Sequence, residues 1–139
     1  MIVIQTFNAH PRHRIRRAET LRLARRVLKG ERRTSAECNI VFVDDKRMEK
    51  MNGEYLNHWY ATDVLSFPLT ENGKKKVDGE VYVNLDQARR QSREYKVTMK
   101  NEVHRLVIHG LLHLLGYNDK TKRERQRMTH RENLYLRTT

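Results

Sequence analysis

Along the chain, stretches where apolar residues alternate with polar ones interleave with stretches where they recur every three or four positions. Met1 to Phe7 alternates well enough for a strand. From about Pro11 to Lys29 the pattern is helical: Ala18, Leu21, Ala24 and Leu28 recur at helical spacing with arginines opposite them, and Gly30 ends the helix. Ala36 to Val43 is a β-branched run, hence a strand. Asp44-Asp45 supplies a cap for a helix over Lys46 to Asn57. Val64-Leu65-Ser66-Phe67 is short and extended, stopped by Pro68, and Glu71 to Lys76 is a polar loop. Glu80-Val81-Tyr82-Val83 is a fourth strand. Asn84 with Gln87 three residues later forms a capping box for a helix to about Tyr95, with Leu85, Ala88, Ser92 and Tyr95 on its inner face.

The most apolar helix begins at Thr98 and runs to Leu115, with a core stripe of Val103, Leu106, Val107, Gly110, Leu111 and Leu114. Gly116 is placed as the left-handed residue past its end. A last helix starts at Thr121, with Glu124 completing a capping box, and runs to about Leu136. The order predicts an α+β fold: a small mixed sheet of four strands packed with about five helices, in one domain over residues 1–139.

Composition narrows the partners. The chain has 29 Lys+Arg against 17 Asp+Glu, a formal net charge of +12. Seven arginines lie between Arg12 and Arg26, and a second basic stretch runs from Lys120 to Arg131. Such a surface concentrates polyanions, nucleic acid first among them, although charge alone also fits an acidic membrane surface or protein. The mean hydropathy is −0.88, and no apolar run approaches the roughly 18 residues of a membrane span. The first residues lack a basic leader and a cleavage site, so they read as a strand and not a signal peptide. The one cysteine, Cys38, allows no intrachain disulfide and reads as a small core residue. The cytoplasm is the expected compartment.

The chemistry concentrates in His109-Gly110-Leu111-Leu112-His113-Leu114-Leu115-Gly116-Tyr117-Asn118-Asp119. Two histidines four apart on a helix are separated by about 40° around its axis and one turn along it, so both imidazoles reach one ion. Gly116 turns the chain back and delivers Asp119 to the same point. Three protein ligands leave a fourth position for water, the pattern of a catalytic metal site and not a closed structural one. An ion there lowers the pKa of its water and polarises a phosphoryl or carbonyl oxygen. Gly110 stands where a His-Glu-x-x-His protease helix carries its general base, which argues against peptide hydrolysis by that route. A glycine there instead permits close packing of the helix on a neighbour.

These residues resemble the YbeY endoribonucleases, or rRNA maturation factors, whose signature is His-Gly-x-Leu-His-Leu-x-Gly-Tyr-Asp-His. Thr62-Asp63-Val64-Leu65-Ser66-Phe67-Pro68 is similar to the family's Thr-Asp/Asn-Val-Leu-Ser-Phe-Pro segment, and Gly79-Glu80-Val81-Tyr82-Val83 to its Gly-Asp/Glu-Ile-x-Ile strand. Glu102 sits where many members have a glutamate seven residues before the first metal histidine. The resemblance implies a zinc-dependent, single-strand-specific endoribonuclease with one Zn2+ ion. It would act on ribosomal RNA, in rRNA maturation and ribosome quality control at the ribosome, in the bacterial cytoplasm or an organelle derived from it. Two positions depart from the family. Asp119 replaces the usual third histidine, and a charged ligand makes the ion less Lewis-acidic. Leu56 stands where members have an arginine thought to help catalysis, and the segment to Thr62 is shortened.

The metal ligands expected are therefore His109, His113 and Asp119, on and just after the penultimate helix. Glu102, by the family resemblance, and His58 are candidate catalytic residues, and Arg105 and Lys120 candidate phosphate contacts, the last three chosen by proximity to the motifs. Trp59 or Tyr60 is a candidate base-stacking platform, although for Trp59 a core anchor is the slightly favoured reading. A non-catalytic RNA-binding or ribosome-binding module stabilised by its metal, or a metal hydrolase of another substrate, are the competing readings.

Overall fold

The computed structural model describes residues 1–70 and 76–137. Its elements follow the predicted order: β1 (Ile2–Asn8), α1 (Arg17–Gly30), β2 (Ser35–Val43), α2 (Asp45–Leu56), β3 (Val64–Pro68), β4 (Lys76–Asn84), α3 (Leu85–Glu94), α4 (Met99–Leu114) and α5 (Lys122–Leu136). The strands form one mixed sheet in the order β1-β2-β4-β3. β1 and β4 run parallel to β2, and β3 runs antiparallel to β4. Of the expected polar loop, residues 71–75 lie outside the described residues, and Lys76 already opens β4.

Strand alternation decides which sheet face is covered. Ala36, Cys38, Ile40 and Phe42 of β2 and Val77, Val81 and Val83 of β4 point to one side and are buried, with Ile4 of β1 beside them. Cys38 is the small core residue its surroundings in the sequence imply, and burial pushes its thiol up to about 11. Helices cover this face, and α4 lies at their centre, touching α1, α3, α5, β3 and β4. Its predicted stripe is buried in full, together with Ile108 and Leu112, which fits a helix with neighbours on several sides.

Gly110 is where α4 meets the sheet. A Cβ at this position would lie 2.4 Å from Val81 Cγ1 and 3.1 Å from Val64 Cγ2. Ser66 Oγ also donates to the Gly110 carbonyl at 2.8 Å. The helix thus rests directly on β3 and β4, and this contact fixes the height of His109 and His113 above the sheet.

Several local expectations shift. α1 begins at Arg17, not at Pro11, because the preceding segment is tied up by side-chain bonds to its own backbone. His10 Nδ1 accepts from the N–H groups of Arg12 and His13, and Asn8 Nδ2 donates to the His13 carbonyl. Only Arg17, Arg22, Arg25 and Arg26 of the seven clustered arginines are therefore helical. The buried stripe of α1 is Thr20, Leu23, Ala24, Val27 and Leu28, while Ala18 is exposed and Leu21 half-buried. Arg32, not Gly30, adopts the left-handed conformation after α1. Asn84 caps α3 through the N–H groups of Asp86 and Gln87, but Gln87 turns away to Arg90 and Gln91, so the box is not reciprocal. Gln91 replaces Tyr95 on the inner face, and Tyr95 is 57% exposed. Trp59 is 61% exposed and covers Gly53 from outside instead of anchoring the core.

Substituting Gly110→Ala should overpack the α4–sheet contact, lowering Tm by roughly 5–10 °C in thermal unfolding followed by circular dichroism. A variant as stable as the wild type would show that α4 can lift from the sheet without cost.

Candidate metal centre

The last turn of α4 and the loop after it bring His109, His113 and Asp119 together. Gly116, at φ 99°, lets the chain reverse. Gly116 N–H donates to the His113 carbonyl and Tyr117 N–H to the Leu112 carbonyl, both at 3.0 Å, the paired bonds of a Schellman turn. The turn leaves the Tyr117 carbonyl facing His113 Nδ1 at 2.9 Å. The Tyr117 side chain is also held: its hydroxyl donates to Glu31 at 2.6 Å, and Arg127 lies over its ring. Glu31 further accepts from Arg131 and from the Tyr135 hydroxyl, which ties the end of α1 to α5 and to this loop. Burial alone would raise the Glu31 carboxyl, but these donors outweigh it and hold the group below its ordinary range.

His109 is fixed from α5. Its Nδ1 lies 2.7 Å from Glu132 Oε2, and Glu132 is buried, with Arg105 donating to its other oxygen at 2.9 Å. Each imidazole thus spends its Nδ1–H on an acceptor, which fixes the tautomer and leaves an Nε2 lone pair. The two Nε2 atoms are 3.0 Å apart, and Asp119 Oδ2 is 3.2 Å from His113 Nε2 and 3.5 Å from His109 Nε2. Ligands held at about 2.0–2.1 Å from one tetrahedral ion lie roughly 3.3 Å from each other. Two lone pairs and a carboxylate at this spacing repel unless a cation or a proton sits among them. Burial would lower the His109 pKa, but the Glu132 carboxylate, with Asp63 and Asp119 behind it, raises it above the ordinary imidazole value. A proton can therefore occupy the position that the donor set offers to a metal. The ligand atoms are half-buried, so the centre stays open to solvent on one side.

The other candidates are placed as follows. Glu102 is 2% exposed and accepts from Gln91 Nε2 at 2.7 Å, within the α3–α4 contact; burial raises its carboxyl. Arg105 is held by Glu132 and by Asn133 Oδ1. Lys120 is exposed, directly after Asp119 in the chain. His58 is exposed in the turn after α2 and stacks on Tyr60 with ring centres 5.6 Å apart. The structure records no contact of His58 with the histidine pair. Leu56 is also exposed.

Glu132, Glu31 and Asp63 escaped the sequence reading. Glu132 was detectable as the acidic member of a Met128–Glu132–Tyr135 stripe, which is the buried face of α5. A second histidine group, His10 and His13 with Asp86, also converges. There His10 Nδ1 accepts two backbone N–H bonds, so its proton is on Nε2 and goes to Asp86 at 2.8 Å. With both nitrogens engaged, that group is a structural tie.

Comparison with known proteins places these features. The family model described as Endoribonuclease YbeY matches residues 5–139. A protein named endoribonuclease YbeY from Chloroherpeton thalassium is 38% identical over 126 residues, covering 91% of this chain and 84% of the relative. One of the same name from Chlorobium phaeovibrioides is 35% identical over 136 residues, covering 98% and 90%. A solution structure of a Thermotoga maritima protein superposes with a TM-score of 0.66 at 24% identity, covering 96% of this chain and 87% of that one, and so shares the fold. These matches define the class: the endoribonucleases, hydrolases that cut within an RNA chain. Within it, the chain belongs to the YbeY family.

Because a proton and a cation compete for the same nitrogen, zinc affinity should rise with pH through the window above the ordinary imidazole value of about 6.5. The raised His109 pKa means that the metal-free protein gains stability from this proton below the unfolded-state pKa. That gain disappears as pH rises through the folded-state value. Glu132→Gln should lower zinc affinity roughly 10–100-fold in competition with a chromophoric chelator and move the pH midpoint down. Unchanged affinity and midpoint would mean that Glu132 does not set the His109 tautomer.

Proposed function

We propose that this protein is a zinc-dependent endoribonuclease that cuts single-stranded RNA during ribosomal RNA maturation and ribosome quality control. One ion would be held by His109 Nε2, His113 Nε2 and a carboxylate oxygen of Asp119. The observation that carries this reading is the set of three ligand atoms at 3.0–3.5 Å with both histidine tautomers set by outside acceptors. When bound, the ion would supply Lewis acidity toward a phosphoryl oxygen and lower the pKa of water at its open position.

The chain's own groups do the rest. Glu132 and the Tyr117 carbonyl keep the imidazoles aimed, and Arg105 holds Glu132 in place, so we assign Arg105 to positioning. Lys120 and its neighbour Arg125, whose guanidinium caps the carbonyls of Asp119 and Lys120, put positive charge beside the third ligand. Both are suited to meeting backbone phosphates. Trp59 and Tyr60 expose ring faces on which bases can stack. His58, stacked on Tyr60, is the candidate proton carrier, and Glu102, seven residues before His109 on α4 and bonded to Gln91, is the second catalytic candidate. Among the described residues no helix is long and apolar enough to cross a membrane, and we assign the protein to the cytoplasm, where ribosomal RNA is processed.

Leu56, in the position of the family arginine, favours one second reading: a module that binds RNA or the ribosome through a metal-stabilised fold without cutting. Incubation of zinc-loaded protein with unstructured RNA separates the two. Internal cleavage should occur and should fall roughly 100-fold or more in His113→Ala. Cleavage that survives the substitution comes from a contaminant, and RNA that is bound but left intact supports the module.

A further inference from the structure

We propose that α1 and the two grooves beside it form a second RNA-binding track, which grips the phosphate backbone away from the metal centre. The proposal rests on RNA being the substrate and adds a place and a mode of binding.

One groove, a cavity of about 480 Å³, lies between the start of α1 and the start of α4. Arg14, Arg16 and Lys100 line it, with Ile15, Met99 and Val103 as its apolar surface. Its one carboxylate, Glu19, is held by Lys100 at 3.3 Å. His104 also lines it: the residue is 3% exposed, and its imidazole has no hydrogen bond to any described residue. Burial and the nearby Lys100 lower the pKa of this ring, which in its neutral form offers one donor and one acceptor.

The other groove, a cavity of about 660 Å³, lies between α1 and α5. Arg22, Arg25, Arg26 and Lys29 line it with Gly30, Leu134 and Tyr135, and no carboxylate is among these residues. The Nε of Arg26 is buried and has no hydrogen-bond partner. Both grooves take lining residues from α1, Glu19 in the first and Arg22 to Gly30 in the second, so they follow one another along that helix.

A buried guanidinium nitrogen without a partner is costly unless a ligand completes it. Seven cations against one carboxylate that is already paired specify a polyanion. Apolar surface in the first groove specifies one that carries bases or sugars as well as phosphates. The exposed side of α1 presents Arg17, Ala18, Arg22, Arg25 and Lys29, without the large apolar residues with which a helix enters a lipid surface. His104 precedes His109 by five residues, about 140° around α4, so these grooves open on another side of that helix. At its C-terminal end α1 reaches Glu31, which clamps the Tyr117 loop of the metal centre. RNA lying along α1 is thereby led toward the candidate cleavage site.

The test uses the full-length, zinc-loaded protein and a variant carrying Arg22→Gln, Arg25→Gln and Lys29→Gln, all exposed positions. A control of equal charge loss carries Lys46→Gln, Arg47→Gln and Lys50→Gln, on α2. Binding is measured by fluorescence anisotropy across salt concentrations, with unstructured RNAs of about 20 and about four nucleotides. Losing three phosphate contacts at about 0.7 each should flatten the log–log salt slope by about 2 and weaken binding of the longer RNA roughly 100-fold near 0.1 M salt. Cleavage of the short RNA should keep its wild-type rate, and the α2 control should bind as the wild type does. An unchanged slope in the α1 variant, or an equal loss in the control, overturns the proposal while leaving the nuclease reading intact. Wild-type protein that neither binds nor cuts RNA overturns both. Anionic lipid vesicles or an acidic polypeptide captured through α1 in place of RNA reassign the track and overturn it as well.

Discussion

Two ring nitrogens that face each other at 3.0 Å need a proton or a cation between them, since two bare lone pairs at this distance repel. The arrangement is imposed from the far side of each ring, where Nδ1 is spent on Glu132 in one case and on the Tyr117 carbonyl in the other. These two bonds draw on most of the helical layer. Glu132 comes from α5 and is steadied by Arg105 of α4. Tyr117 is steadied by Glu31 at the end of α1, which also receives Arg131 and Tyr135 of α5. The centre is thus a product of three helices meeting, although all three ligands lie within eleven residues of sequence. Disturbing α1 or α5 would relax the tautomer constraint without touching a ligand.

The sheet supplies the second constraint, which is height. α4 can rest on β3 and β4 only because Gly110 has no side chain to hold it off Val81 and Val64. The antiparallel β3 stands at the edge beside β4, so the end of α4 that carries the histidines overlies the rim of the sheet. Trp59 and Tyr60 are exposed in the connection from α2 to β3. The elements that bury the core therefore also leave one side of the histidine pair open.

Much of this could be read from the residues. Capping signals were the most dependable, because Asp44, Asn84 and Thr121 each bond backbone N–H groups of their own helix and need no tertiary partner. The His-x3-His pair, the turn at Gly116 and the closeness of Asp119 followed from helix geometry in the same local way. The failures have one physical origin. The start of α1, the orientation of its stripe, the role of Gly30 and the identity of Glu132 all depend on contacts between residues far apart in sequence. Pro11 to Arg16 keeps a helical pattern of charges, yet His10, itself fixed by Asp86 of α3, draws its backbone into a turn. Glu132 reads as one more charged residue on a basic helix until α5 is docked on α4. Of the two readings of Trp59, the core anchor fails: the ring is exposed, and the glycine beneath it, Gly53, is the buried partner.

The distribution of charge bears on what the departure at Leu56 means. An arginine in contact with a scissile phosphate stabilises charge that develops there during reaction, a short-range effect within a few ångströms. Cations along α1 cannot replace it, since at physiological ionic strength their field is screened over about 8 Å. They can raise the local concentration of RNA and hold it in register, which adds to the binding of substrate and transition state alike. On the proposed reading, Leu56 in the position of the family arginine together with a strongly cationic α1 would give tight capture and a slow chemical step, and a carboxylate as third ligand would temper the ion further. Low turnover at saturating RNA would, on this view, be a property of the charge layout and not a sign that the centre is incomplete.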